Sequence, residues 1–402
     1  MKDYAHRHIW QRLPRGWRRE ALFNSAALLA PQADLTAVPA EPIIVAGVLS
    51  TASGLGESAR LCHDALKAAG HSVYGVDLSA SLMQDSDVAD FKFQDGRALT
   101  GAGTLILHVN SPLVPLAMWR LGRLFVRQKY IVGYWAWELA RVPTDWRHGV
   151  RFVREIWVPS QFAAESVRPI AGERTVRVIP HPVVVLGAPK SQRQPSVNRP
   201  FTVLTMFNMA SGFTRKNPLA AIEAFRLAFG NDPATRLVIK VSNMTSFQPG
   251  AIQLSQAVRR NTNIVILDAT IGRAELDRLY ADADIVISLH RSEGFGLSIA
   301  EAMKHGIATV ATDWSGNRDF LNHKTGIPIP YKMIPAEDPQ GTYQQRAMDW
   351  ADADVNAAAK ALRGLRDDPQ LRVRLGQSAA IWAERAWSSE MYSLSVREAL
   401  AL

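Results

Sequence analysis

A two-domain α/β fold, each domain built on a parallel sheet, is what three features of the chain predict. Its 402 residues exceed what one hydrophobic core usually organises. Short β-rich runs alternate with amphipathic stretches, the pattern of strand–helix–strand units. That alternation breaks once, in a Pro-, Ser-, Gln- and Arg-rich stretch at 183–200, and then starts again.

The first series of runs covers 43–49 (IIVAGVL), 71–78, 104–109, 129–135, 155–160 and 175–180. Between them, ESARLCHDALKAAG reads as an amphipathic helix closed by a glycine, and PSQFAAESVRPI as another. The stretch 183–200 lacks helical periodicity and reads as a linker. The second series covers 201–207, 235–242, 263–268, 284–290 and 307–312, with helical patterns in NPLAAIEAFRLAF, AIQLSQAVRR, RAELDRLYADA and LSIAEAMKHG. After about residue 345 the pattern reads as wholly helical, two or three closing helices. The expected organisation is a basic arm (1–40), a first Rossmann-like domain (41–182), the linker (183–200), a second Rossmann-like domain (201–385) and a last helix (386–402) free to pack back on the first domain. Two such domains would face each other across a cleft.

With 47% apolar and 21% charged residues, the composition is that of a soluble globular protein. A single cysteine, Cys62, excludes an intramolecular disulfide framework and a multi-cysteine zinc site, and it reads as a small buried apolar group. No run reaches the roughly 18 apolar residues of a spanning helix, and the N-terminal stretch has no secretory signal, so a cytoplasmic protein is expected. Six of the 46 Lys and Arg residues, but two of the 37 Asp and Glu, fall in the first 20 positions, leaving 40 against 35 elsewhere. Trp10 and Trp17 interleave with those cations. The arm therefore reads either as a seat on the anionic inner face of a membrane or as a solvated extension, and Pro14-Arg15-Gly16 breaks any continuous helix in it. The formal charge of +9 is compatible with phosphate-bearing partners, but no Lys/Arg stripe with stacking aromatics points to nucleic acid.

Ligands of open parallel sheets bind beyond the carboxyl ends of the strands, so the loops there are the candidates. The densest is LHRSEGFGLSIAEAMKHG, where the run ending at 290 leads into Glu293, Gly294, Phe295 and Gly296, and a helix begins near Leu297. The glycines allow a tight turn and close approach of backbone to a ligand, and the helix start offers free N–H groups to an anionic or hydroxyl-rich group. Glu293 and Glu301 stand eight residues apart, a spacing suited to the two ends of one elongated ligand. In FNMASGFTRKNPLAAIEAF, Arg215 and Lys216 precede a helix start, where positive charge opposes the helix dipole unless an anion binds.

This constellation resembles the donor-binding signature of retaining GT-B glycosyltransferases of family 4, and the twin-domain organisation, linker and helical tail extend the resemblance over most of the chain. The resemblance implies a retaining hexosyltransferase that takes a nucleotide-diphosphate sugar, UDP- or GDP-linked, and delivers it to a saccharide or lipid-linked saccharide, as in polysaccharide biosynthesis. It implies that Glu293 orients the sugar and stabilises an oxocarbenium-like transition state, and that Glu301 accepts hydrogen bonds from the ribose hydroxyls. Gly294, Phe295, Gly296 and Leu297 would meet the sugar and diphosphate through their backbone. Lys216 and Arg215 would neutralise the leaving diphosphate in place of a metal ion, so neither a metal nor another cofactor is expected. The family usually separates its Arg from a Lys-Gly pair; here the two cations are adjacent and Asn217 follows.

The first domain would hold the acceptor. His108 and Asn110 in LHVNSP, Trp137 and Glu138 in GYWAWELARVP, and Ser160 follow its strands. Some related mannosyltransferases carry a histidine where Asn110 stands, which leaves His108 open between a site role and a buried strand histidine. Glu138 suits an acceptor hydroxyl; Trp135 and Trp137 suit either a sugar face or an inter-domain core. One competing reading comes from Gly54-Leu55-Gly56-Glu57-Ser58-Ala59, which fits the G-x-G-x-x-A spacing of dinucleotide sites, with Asp77 placed 23 residues after Gly54 as a ribose ligand. That would make an NAD oxidoreductase but leave Glu293 and Lys216 without a role. The resemblance instead puts Gly54 and Gly56 at the cleft, against the donor. A sugar-nucleotide epimerase of the same architecture is a further alternative.

Overall fold

The computed structural model describes residues 25–84, 91–185, 199–343 and 347–402. The basic residues of the first 20 positions and most of the 183–200 linker lie outside that set.

Six parallel strands form the first sheet: β1 (Ile43–Gly47), β2 (Val73–Asp77), β3 (Gly103–His108), β4 (Lys129–Tyr134), β5 (Glu155–Val158) and β6 (Thr175–Val178), in the order β2-β1-β3-β4-β5-β6. Its helices are α1 (Gly54–Ala68), α2 (Val114–Leu121), α3 (Arg123–Val126), α4 (Arg147–Val150) and α5 (Gln161–Val167). The second sheet is also six-stranded and parallel: β7 (Phe201–Asn208), β8 (Thr235–Ser242), β9 (Ile264–Asp268), β10 (Ile285–Ser288), β11 (Ala308–Thr312) and β12 (Ile327–Ile329), in the order β12-β11-β10-β7-β8-β9. Around it lie α6 (Phe213–Lys216), α7 (Pro218–Phe229), α8 (Gln248–Val258), α9 (Arg273–Asp282) and α10 (Leu297–Lys304). Strands buried on both faces explain why their sequences read as continuous apolar runs: every residue of β1, β3 and β4 is buried.

The strand order locates the cleft. In the second sheet β8 and β9 lie to one side of β7, and β10, β11 and β12 to the other. The chain therefore reverses direction between β7 and β10, and the loops leaving those two neighbours diverge to open a crevice. Those loops carry Arg215-Lys216 and Glu293.

Two stretches depart from the sequence expectation, the first being β12, a sixth strand at the edge of the second sheet where five runs were expected. Residues after 345 are not wholly helical, because β14 (Asp349–Ala353) pairs antiparallel with β13 (Tyr331–Pro335). A strand reading DWADA has too little apolar alternation to announce itself. Its place comes from burial: Trp350 is 1% exposed and packs, with Ala336, Tyr343 and Met348, into the core of the first domain. The hairpin thus carries second-domain sequence across to the first. The closing helices follow as α11 (Val355–Asp367), α12 (Pro369–Ala386) and α13 (Ser389–Leu400). The last of these lies on α1, setting Tyr392, Val396 and Leu400 against Cys62, Ala65 and Leu66. Each aliphatic side chain so buried contributes roughly 1.5–3 kcal/mol. Cys62 is fully buried there, and burial, only partly opposed by a hydrogen bond with Tyr392, pushes its thiol up to about 12, so it is an inert packing group.

Candidate functional site

The loop after β7 turns through Gly212, at φ 98°, and the short helix α6 ends at Asn217 in the left-handed region, φ 50°. That geometry delivers Arg215 and Lys216 side by side to the crevice. Arg215 is 2% exposed and holds the crevice together: it donates to the Ser211 carbonyl (2.8 Å from Nη2) and to the Ser292 carbonyl (2.7 Å from Nη1). The backbone N–H of Arg291 returns a bond to the Arg215 carbonyl at 2.7 Å. The two switch-point loops are therefore cross-braced by one guanidinium.

Glu293 meets both cations. Lys216 Nζ lies 2.5 Å from its Oε1, and Arg215 Nη1 lies 3.3 Å from its Oε2. Burial alone would raise the pKa of this carboxyl; Lys216 and Arg215 outweigh it and hold the group at about 2, so it is ionised at any working pH. Behind it, Gly294 and Gly316 permit a contact that no other residue would: a Cβ on Gly316 would stand 2.3 Å from the Gly294 carbonyl oxygen. Gly296, at φ 98°, turns the chain into α10, with Leu297 as its first residue. Phe295 points away from the crevice into an aromatic cluster with His181, Phe320 and Trp387, so what it offers a ligand is its backbone.

One helical turn on, Glu301 sits in a second ionic nest. Arg273 Nη1 lies 2.5 Å from Oε1, and the Tyr280 hydroxyl donates to Oε2 at 2.8 Å. Burial raises this carboxyl's pKa, Arg273 opposes that, and Glu57 of α1 adds to the rise from across the cleft. The start of α1 therefore faces the Glu301 end of the second-domain candidate site. Asn208 Nδ2 donates to the Ala52 carbonyl at 3.0 Å and closes the same corner.

The first-domain candidates are distributed differently. Glu138 reaches the cluster, its Oε1 4.0 Å from Arg215 Nη2. Burial raises its pKa, while Arg215 and a hydrogen bond from Tyr343 lower it. Trp137 does not present an open ring face: it is 6% exposed, packs edge-on against Trp146 and lies tilted on Tyr343 at 5.3 Å, with Nε1 donating to the Arg141 carbonyl. Trp135 is wholly buried. Both tryptophans are core, which corrects the expectation that Trp137 stacks on an acceptor sugar; the cause is the β13–β14 hairpin, which covers it. Trp137 still touches the site through its backbone, because a Cβ on Gly294 would stand 3.2 Å from the Trp137 carbonyl oxygen. Asn110 faces the same corner, but its Oδ1 accepts from the Ala136 N–H at 2.9 Å and braces that loop. His108 is 1% exposed, hydrogen-bonded to Ser58 Oγ at 2.8 Å and stacked on Tyr134 at 4.5 Å, and burial holds its pKa well below the usual histidine value. It is a neutral strand-end histidine. Ser160 caps α5 and donates to the Gly294 carbonyl at 2.6 Å, gripping the Glu293 loop from the first domain.

The glycine loop splits in two. Gly56 is required by packing, since a Cβ there would fall 2.3 Å from the Thr51 carbonyl oxygen, whereas Gly54 has open space at its Cβ position. Asp77 is not free for a ribose: its carboxylate accepts from the Ser50 hydroxyl and from both the N–H and the hydroxyl of Ser79. That occupancy removes the ligand on which the dinucleotide reading depended.

Three residues of this site went unread in the sequence. Tyr343 packs its ring under the Arg215 guanidinium, 5.3 Å from its centroid, while its hydroxyl bonds Glu138. Arg273 and Tyr280 satisfy Glu301. A signal existed for Arg273, because a buried carboxylate needs a cation and IGRAELDRLY offers one after β9. None existed for Tyr343, whose partners Trp137 and Glu138 lie in the first domain, far away in the chain.

Two facing parallel-sheet domains, with charged and hydroxyl-bearing side chains gathered at the switch point between them, define a chain of the GT-B architecture. The family described as Family 4 Glycosyltransferase in conflict systems matches residues 160–388, and the chain belongs to it. Two curated relatives, D-inositol 3-phosphate glycosyltransferases of Pseudarthrobacter chlorophenolicus and an Arthrobacter species, are 34% and 29% identical over 116 and 123 residues. The matched segments cover 28% and 30% of this chain but only 23% and 24% of those relatives. Among solved structures, Anabaena HepE in complex with UDP superposes with a TM-score of 0.63 at 16% identity, covering 90% of this chain and all of that one. Sucrose-phosphate synthase from Thermosynechococcus elongatus gives 0.62 at 14% identity, covering 90% and 98%. At such identities these two share the fold.

Proposed function

We propose that the protein is a retaining, metal-independent glycosyltransferase that moves a sugar from a nucleotide-diphosphate sugar, UDP- or GDP-linked, to a saccharide or lipid-linked saccharide acceptor. The observation that carries the reading is the Lys216–Glu293–Arg215 cluster at the switch point of the second sheet. Two cations beside one carboxylate make a site that neutralises a departing diphosphate while keeping a negative charge for a developing oxocarbenium ion. Family membership and the UDP bound by the HepE relative support a nucleotide-linked donor.

In this mechanism the diphosphate lies over the start of α10, since the first turn of a helix offers N–H groups that have no partner within the helix. Lys216 moves from Glu293 toward the phosphates as the sugar–phosphate bond breaks, and the freed Glu293 carboxylate faces the sugar. Arg215, locked to Ser211 and Ser292, keeps the two loops in register and contributes fixed positive charge. Glu301 exchanges part of its bonding to Arg273 and Tyr280 for the ribose hydroxyls. The acceptor hydroxyl approaches from the first domain beside Glu138, and its proton leaves with the departing phosphate oxygen, so retention needs no separate base. The basic arm of the first 20 residues is a seat on an anionic membrane face in this reading, which suits a lipid-linked acceptor.

Thermal unfolding with UDP, GDP, ADP and NAD tests the donor class. A ligand at 100 times its dissociation constant stabilises by about 2.7 kcal/mol. Stabilisation by UDP or GDP alone is expected; stabilisation by NAD alone would overturn the assignment. Turnover of the donor identified in this way, with and without oligosaccharide acceptors, separates transfer from epimerisation.

A further inference from the structure

The first domain carries an exposed surface for which glycosyl transfer has no use. Helices α2 and α3 meet at Gly122, whose φ of 83° breaks the helix. On the outer side of that break Trp119 is 44% and Leu124 76% exposed. Arg120, Arg123 and Arg127 are exposed beside them, and the Arg120 guanidinium lies 4.9 Å from the Trp119 ring centroid. The inner side is firmly seated, with Leu121, Phe125 and Val126 in the first-domain core. No Asp or Glu stands between Asp95 and Glu138, so nothing in that stretch of chain offsets these cations.

The patch has a second component. Helix α4 packs on α2 and ends at the exposed Arg151, whose Nη2 donates to the Ala27 carbonyl. That bond anchors the helical segment 25–29, on which Leu28 is 84% exposed. Asp34, kept ionised by the N–H and hydroxyl of Thr36, lies close enough to Arg127 to offset part of that one charge, which leaves Arg120 and Arg123 as the principal cations of the patch. Outward leucines and a tryptophan among arginines match a bilayer interface, where apolar side chains enter the acyl boundary and guanidinium groups reach the phosphates. Single-stranded nucleic acid would call for stacking platforms along a groove rather than aliphatic leucines.

We propose that this surface, formed by α2, α3 and segment 25–29, docks the protein on an anionic lipid bilayer. Trp119, Leu124 and Leu28 enter the interface, and Arg120, Arg123 and Arg127 meet the lipid phosphates. The assignment deepens the membrane contact proposed above by giving it a place on the folded domain, and it stands apart from the transfer chemistry.

The test is co-sedimentation of the full chain with phosphatidylglycerol–phosphatidylcholine vesicles and with pure phosphatidylcholine vesicles. Binding to the anionic vesicles only, weakened by salt, is expected. The paired substitutions Trp119→Ser with Leu124→Ser, and Arg120→Gln with Arg123→Gln, should each lower vesicle affinity by roughly tenfold or more while leaving thermal unfolding and the UDP or GDP response unchanged. The proposal is overturned if the wild type stays in the supernatant, or if both variants sediment as it does, which would leave the basic arm as the sole seat. It is equally overturned if size exclusion shows a dimer that Leu124→Ser dissolves, or if an oligonucleotide binds with the same sensitivity to these variants. A lost nucleotide response in the wild type would instead count against the transferase reading alone.

Discussion

The two sheets are built alike, yet the loops at their carboxyl ends are spent differently. In the first domain those loops are consumed by structure: His108 lies under Tyr134, Asn110 braces Ala136, Trp137 is covered by Tyr343, and Ser160 holds the neighbouring domain's backbone. In the second domain they gather charge, with Lys216, Arg215 and Glu293 in one cluster and Arg273 with Glu301 in another. In the proposed mechanism the second domain bears the chemistry of the leaving group, and the first contributes shape plus one carboxylate, Glu138. The same contrast recurs between the two glutamates on either side of the α10 start. Glu293 has two cations and a depressed pKa, whereas Glu301 has one, and burial prevails.

The largest effect should come from the first cluster. Glu293→Gln is expected to lower turnover of the donor about 10²–10³-fold, the usual scale for losing one preorganised electrostatic group, with nucleotide affinity changed only a few-fold. Full turnover in that variant would break the division of labour between the domains. Next comes stability against pH. The Glu293 carboxyl goes from an ordinary 4.5 to about 2 on folding. Because the folded value is the lower one, its stabilisation is complete above pH 4.5 and is lost as pH falls toward 2. At 1.36 kcal/mol per unit this is on the order of 3 kcal/mol. Denaturant midpoints of wild type and Glu293→Gln should therefore differ most at neutral pH and converge in acid; a constant gap would refute the linkage.

Glu301→Ala sharpens the comparison between the glutamates. It should weaken UDP or GDP binding by about 10–100-fold, the worth of one charge-assisted hydrogen bond, with turnover at saturation little changed, as calorimetric titration and kinetics can show. Tyr343→Phe is a smaller probe of the first domain's contribution. Losing the hydroxyl removes one of the groups that lower the Glu138 pKa, so the acid limb of the rate profile should move to higher pH and turnover should fall about 2–10-fold. An unmoved limb would mean that Glu138 does not act in the reaction. Smallest is Gly54→Ala, where open space surrounds the added methyl. Stability should rise by about 0.4–1 kcal/mol, and any loss of nucleotide affinity would place the α1 start against the donor.

The amino-acid order alone settles what is local in the chain. Buried parallel strands demand unbroken apolar runs, so both sheets were legible apart from the three-residue edge strand β12, and Glu293 and Glu301 could be paired because one loop and one helical turn connect them. The Arg215–Lys216 pair was legible for the same reason. Folding at long range settles the rest. Tyr343 reaches Glu138, and Trp350 reaches the first-domain core, through a hairpin whose strand β14 carries no apolar signature. Whether Trp137 is a sugar platform or a core residue depended on that hairpin covering it. Whether Asp77 could bind a ribose depended on Ser50 and Ser79 reaching its oxygens first. A side chain's type states what it can bond to. Which partner it meets is decided by packing between segments that the chain keeps far apart, and no pattern within either segment records it.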